Sequence, residues 1–234
     1  MVLRKQCGTH TFFGRNVYAM RWIREKFRGR ENAVAWVVGI GGGKRPVNTP
    51  TEHIEVAGML RQAGVKDFHV FGCDINRKNM QAAITNLKEG RIELAQPDLG
   101  VIERSALSRH AQEISGPKAR KPNGWFKIPE AIRSRITLLK PPQGNFFNSM
   151  PAKRPDLIMI FNTAGYYDKK RQEKLAKHLA EALAPGGIIV SNNNPTQIAF
   201  VYALNTAGLE MTSVAMVPGP SYENVDRILV FTKK

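Results

Sequence analysis

The sequence is poor in cysteine, in acidic residues and in long apolar runs, and each shortage removes a class of protein. Only Cys7 and Cys73 occur among 234 residues. They stand far apart without ligand spacing, which leaves no disulfide framework or zinc site and implies reduced thiols in a cytosolic setting. The five histidines, His10, His53, His69, His110 and His178, form no HxxxH pair, so no metal centre is expected. No run reaches the roughly 18 apolar residues of a membrane span, and the start MVLRKQCGTH lacks an apolar signal core. A soluble, cytoplasmic protein is expected. Asp and Glu number 19 against 35 Lys and Arg, a formal net charge of +16. An acidic partner, protein or nucleic acid, suits that excess, and so does a solvated face with no partner.

What is present is ordinary for a globular chain, with 42% apolar and 23% charged residues. The length favours one large domain around one core. The basic excess falls in two segments: residues 1–30 hold eight Lys and Arg against one Glu, and residues 100–140 hold nine against three Glu. We therefore expect a basic segment and helix over 1–30 packed on a domain over 31–234, with a basic insertion near 89–130.

The most informative stretch runs from Asn32 to Asp74. Ala33 to Val38 is an unbroken apolar run, as in a strand buried on both faces of a parallel sheet. Gly39, Gly41, Gly42 and Gly43 follow, a turn whose backbone can approach a ligand closely. The connection from Ile40 to Pro50 is longer than the two to about six residues usual between strand and helix. Thr51 is placed to cap a helix carrying Ile54, Ala57, Met59 and Leu60. A second strand, Phe68 to Cys73, ends at Asp74, where a carboxylate can accept hydrogen bonds from two ribose hydroxyls of a nucleoside cofactor. As an alternative, Asp74 caps the helix expected over Arg77 to Leu87.

Further elements follow the same alternation. Helices are expected over Arg15–Phe27, Pro129–Ile132, Arg171–Leu183 and Thr196–Thr206. Strands are expected over Ile136–Leu139, Pro155–Phe161, Ile188–Val190, Met211–Val217 and Arg227–Thr232. Glu89 to Leu99 has little periodicity. The pattern is that of a doubly wound α/β protein with a seven-stranded, mostly parallel, Rossmann-like sheet. Two strict nucleotide fingerprints fail: G-x-G-x-x-G needs glycine where Lys44 stands, and the P-loop needs glycine at Val38 and Ser or Thr at Arg45. A looser glycine turn with a strand-end acid, of the kind used for S-adenosylmethionine, remains.

Several blocks, in order over roughly residues 7 to 193, resemble one family, the chemotaxis receptor glutamate O-methyltransferases. Thr11-Phe12-Phe13-Gly14-Arg15 is similar to its TFFR segment, and Thr49-Pro50-Thr51-Glu52-His53 to its STGEEP turn. Phe71-Gly72-Cys73-Asp74-Ile75-Asn76 is similar to ATDID, and Asn145-Phe146 falls at an Asn-Leu pair bordering the adenine. Pro155 to Asp168 matches FDLIFCRNVLIYFD in spacing, and Leu183-Ala184-Pro185-Gly186-Gly187 matches LRPGG.

The resemblance implies S-adenosyl-L-methionine as cofactor, S-adenosyl-L-homocysteine as product, and methyl transfer to a carboxylate of an acidic protein. Cofactor contacts then fall to Thr11, Phe13, Gly39, Gly41, Glu52, Asp74, Ile75, Asn145, Phe146 and Asn162, and Tyr166 and Arg15 act on the acceptor. From the residues alone, Glu52 is equally a first-turn acid complementing the helix dipole, Asn162 a turn cap and Tyr166 a packed aromatic. The departures are specific: Gly14 takes the place of the family arginine after Phe-Phe, and Phe161 that of the arginine before the strand-end Asn. The family's front helical domain has no counterpart in the ten or so residues before the TFFR-like segment.

Two other functions fit the sequence. A nucleic-acid or small-molecule methyltransferase suits the basic surface, although Asn162-Thr163-Ala164-Gly165 lacks the [DN]-P-P-[YF] of amino-methylating enzymes, and Asn193-Asn194-Pro195-Thr196 follows a different strand. A catalytically silent module of the same fold is the other.

Overall fold

A computed structural model of the chain describes residues 19–41, 50–93, 125–139, 150–161, 163–192, 194–218 and 225–234. Nine strands and six α-helices alternate through these residues. In chain order they are α1 Met20–Phe27, β1 Asn32–Val38, α2 Glu52–Gln62, β2 Asp67–Cys73, α3 Arg77–Glu89, β3 Arg91–Glu93, β4 Trp125–Lys127 and α4 Glu130–Arg133. Then come β5 Ile136–Leu138, β6 Leu157–Ile160, α5 Lys169–Ala182, β7 Ile188–Asn192, α6 Ile198–Thr206, β8 Leu209–Pro218 and β9 Val225–Lys233. Single 3-10 turns, Ala164–Tyr166 and Pro195–Gln197, follow β6 and β7.

Seven strands form one sheet in the order β5-β2-β1-β6-β7-β9-β8. The pairs from β5 to β7 are parallel, and β9 runs antiparallel to both β7 and β8. This is the expected doubly wound sheet. Its direction of winding reverses between β1 and β6, which opens a crevice beyond their carboxyl ends.

Alternation along each strand explains the two cores. Ala33, Ala35 and Val37 of β1 face one side with residues of α1, α2 and α3, whereas Trp36 and Val38 face the other with Leu175, Leu179 and Phe200 of α5 and α6. Strands covered on both faces need apolar residues at successive positions, and β6 and β7 are buried throughout.

Three expectations need correction. Thr51 occupies the position before α2 without capping it: its hydroxyl donates to Glu55 Oε1 at 2.8 Å, because Glu55 is itself buried and needs a donor. Asp74 is not the cap of α3, since Asn76 holds that place and accepts from Lys78 N at 2.9 Å. The stretch without periodicity contains β3, which pairs with β4 in a separate two-stranded antiparallel sheet. Three residues are too few to display a period. Among the described residues no helix is long and apolar enough to cross a membrane.

Candidate functional site

At the carboxyl end of β1 the chain turns into the crevice. Gly39 and Gly41 adopt φ of +81° and +72°, a region that side chains with a Cβ enter only at a cost. Gly39 N and Ile40 N both donate to Cys73 O, at 2.8 and 3.1 Å, which fastens the turn to the end of β2. A Cβ on Gly39 would lie 2.1 Å from Thr163 Oγ1. That hydroxyl donates toward Val38 O and Phe161 O, both at 3.2 Å, and so bridges β1 and β6 at the reversal point.

Asp74 closes the other side. Its Oδ2 accepts from Gly41 N and from Asn79 Nδ2, both at 3.2 Å, and its Oδ1 accepts from Asn76 N at 2.7 Å. With 7% exposure the carboxylate is desolvated, and burial raises its pKa despite the three donors. A carboxylate oxygen can accept two bonds, so Oδ1 keeps one acceptor position, which suits one hydroxyl of a ribose.

The remaining nominated residues divide. Ile75 is half-buried and packs against the second core, and Glu52 is fully buried in the first turn of α2. Tyr166 is partly exposed in the 3-10 turn after β6. Phe161, at the place of a family arginine, is buried in the first core. Thr11, Phe13, Arg15, Asn145, Phe146 and Asn162 lie outside the described residues.

Structure characterises four residues to which sequence alone assigns no role. Tyr167 stands beside the nominated Tyr166: burial pushes its phenol up to about 12, and Cys73 and Asp74 act on it in the same direction. It therefore stays a protonated donor. His53 is fully buried below the turn, and desolvation lowers it to about 3, which disqualifies it as a base at neutral pH. Burial likewise pushes the Cys73 thiol up to about 12, so it supplies no thiolate nucleophile.

Gln172 is the fourth. Only 5% exposed on α5, it donates to Tyr167 O at 3.0 Å and Thr196 O at 2.8 Å and accepts from Phe200 N at 3.1 Å. One amide thus joins the turn after β6, the turn after β7 and the first turn of α6. Gln172→Ala is expected to lower stability by about 2–3 kcal/mol, because an N–H and two carbonyls lose their buried partner. A shift in the urea midpoint at unchanged m value would register this; an unshifted midpoint would mean that water replaces the amide.

No family model matches the chain, and no curated protein matches it. Solved structures do. The chain is similar to a precorrin-6y C5,15-methyltransferase from Geobacter metallireducens GS-15, with TM-score 0.53 and 15% identity over 92% of this chain and 87% of that one. It is similar to a methyltransferase from Pyrococcus furiosus, with TM-score 0.53 and 15% identity over 98% and 87%. The N-methyltransferase NodS from Bradyrhizobium japonicum WM9, in complex with S-adenosyl-L-homocysteine, matches with TM-score 0.50 and 12% identity over 94% and 86%. At such identities the likeness is one of fold, that of the class I methyltransferases. It shows the fold alone and does not single out the receptor-glutamate subfamily.

Proposed function

We propose that this protein is an S-adenosylmethionine-dependent methyltransferase whose acceptor is a carboxylate or other oxygen on an acidic protein. The observation that carries the proposal is the pairing of Asp74 with the Gly39–Gly41 turn at the sheet's reversal point, within a fold shared with methyltransferases. The net charge of +16 supports an acidic acceptor.

S-adenosylmethionine, when bound, supplies a sulfonium methyl already activated toward nucleophiles. The protein's task is then to hold, align and dehydrate. Asp74 accepts from a ribose hydroxyl while the glycine turn lets the backbone approach. Ile75 and, following the family pattern, Glu52, Thr11, Phe13, Asn145, Phe146 and Asn162 complete the cofactor site. Tyr166 orients the acceptor through its hydroxyl, and Arg15 pairs with its carboxylate. A carboxylate is already a nucleophile at neutral pH, so no general base is required.

Calorimetry with S-adenosylmethionine and S-adenosylhomocysteine is the first test, and absence of binding would leave a silent module of this fold. Tritiated methyl transfer into acidic protein and into RNA then separates the acceptors, with alkali-labile label marking a methyl ester. Tyr166→Phe is expected to lower turnover on the order of tenfold with cofactor affinity little changed. Equal losses in both would move Tyr166 into the cofactor pocket.

The raised pKa of Asp74 adds a pH dependence. Its ionised form accepts from the ribose, so cofactor affinity should fall as pH drops through that raised value, earlier than for an ordinary aspartate. Stability has the opposite sign. Folding raises this pKa, so the contribution of Asp74 is present below its unfolded value and is lost as pH rises through the folded one. Calorimetric titrations across the acid range check the first statement, and an affinity independent of pH would contradict it.

A further inference from the structure

At the amino edge of the sheet, Arg30 pairs with Asp156, Lys66 with Glu31 and Arg135 with Asp67, whereas exposed Lys153 and Arg154 have no ion-pair partner among the described residues. At the carboxyl edge, beside the crevice, exposed Arg77 and Lys78 open α3, and exposed Lys169 and Lys170 open α5. These four have no ion-pair partner among the described residues. Neither helix carries an acid in its first turn, although Asp168 caps α5 and lies 3.7 Å from Arg171. The positive end of a helix dipole is an unfavourable place for Lys and Arg. Stability therefore does not account for their position.

An apolar pair lies within the same patch. Ile198 and Tyr202, one turn apart on α6, are 61% and 69% exposed. Gln172 ties the first turn of α5 to Thr196 and to Phe200 N, so the openings of α5 and α6 form one surface. Lys169, Lys170, Ile198 and Tyr202 therefore share a rim beside the Tyr166–Tyr167 turn.

We propose that this rim is the docking surface for a segment of an acidic protein, with Asp or Glu side chains meeting Lys169 and Lys170 and an apolar side chain seated on Ile198 and Tyr202. The proposal rests on the methyltransferase function in that docking brings the acceptor to the crevice. Charge complementarity selects the occupant. A second copy of a chain carrying +16 is repelled, and a nucleic acid satisfies the lysines and can stack a base on Tyr202 but brings no aliphatic anchor for Ile198. An acidic segment with an apolar anchor satisfies both.

Fluorescence anisotropy tests this with three labelled probes: a glutamate-rich peptide carrying one leucine or phenylalanine per helical turn, oligoglutamate of equal charge, and single-stranded oligouridine. The anchored peptide should bind most tightly, and its affinity should fall with added salt. Lys169→Ala with Lys170→Ala should weaken it about tenfold, and Tyr202→Ser on the order of tenfold. Lys66→Ala, at the opposite edge, should change it by less than about twofold. Tightest binding of oligouridine, equal binding of oligoglutamate and anchored peptide, indifference to Tyr202→Ser, or no peptide binding would each overturn the proposal. Calorimetry with S-adenosylmethionine on the same preparations separates the two conclusions. Cofactor binding without peptide binding removes only the docking surface, and peptide binding without cofactor binding removes only the enzymatic function.

Discussion

Asp74→Ala is expected to weaken S-adenosylmethionine binding by about 3 kcal/mol, or about a hundredfold. A ribose hydroxyl would lose a charge-assisted hydrogen bond, stronger than a neutral one because the site is desolvated. The effect on folding should be smaller, since two terms oppose one another. Gly41 N, Asn76 N and Asn79 Nδ2 lose their acceptor, which destabilises the turn. A buried carboxylate that folding holds above its ordinary pKa also disappears, which relieves a desolvation cost. A net change of about 1 kcal/mol is expected in denaturant unfolding. Asp67→Ala serves as the control, because Asp67 is an exposed acid at the opposite end of the same strand, bonded to Arg135. Unchanged calorimetric affinity in Asp74→Ala would take this residue out of the cofactor site.

Sequence and structure agree most closely in the middle of the sheet, for a physical reason. β1, β6 and β7 are covered on both faces, so their residues had to be apolar almost without interruption. Asp74 stood out in the sequence because an acid where an apolar run stops is a chain-local signal, and the structure sets it against the glycine turn through Gly41 N. Long-range partners left no such trace. β3 and β4 are three residues each and meet from distant parts of the chain. Gln172 reads as one polar position on an amphipathic helix, and only the packing of α5 against α6 turns it inward. Tyr167 follows the 3-10 turn that ends at Tyr166, and no sequence pattern foretells the burial that raises its phenol.

Gly39→Ala should be the most damaging small substitution in the described chain, through two separable causes. The new Cβ would sit 2.1 Å from Thr163 Oγ1 and 3.3 Å from Thr163 Cβ, and Thr163 cannot swing away without releasing Val38 O and Phe161 O. Independently, φ of +81° is strained for any residue with a Cβ. The clash and the backbone strain together are expected to lower stability by about 3 kcal/mol, and to reduce cofactor affinity because Gly39 N and Ile40 N hold the turn to Cys73 O. Pairing the change with Thr163→Gly separates the terms. The double variant opens the space but retains the φ, so it should recover part of the loss and remain about 1 kcal/mol below Thr163→Gly alone. A double-mutant cycle in urea measures this coupling. Additive effects would mean that Thr163 is not what Gly39 must avoid, and that the conformation of the turn alone demands glycine.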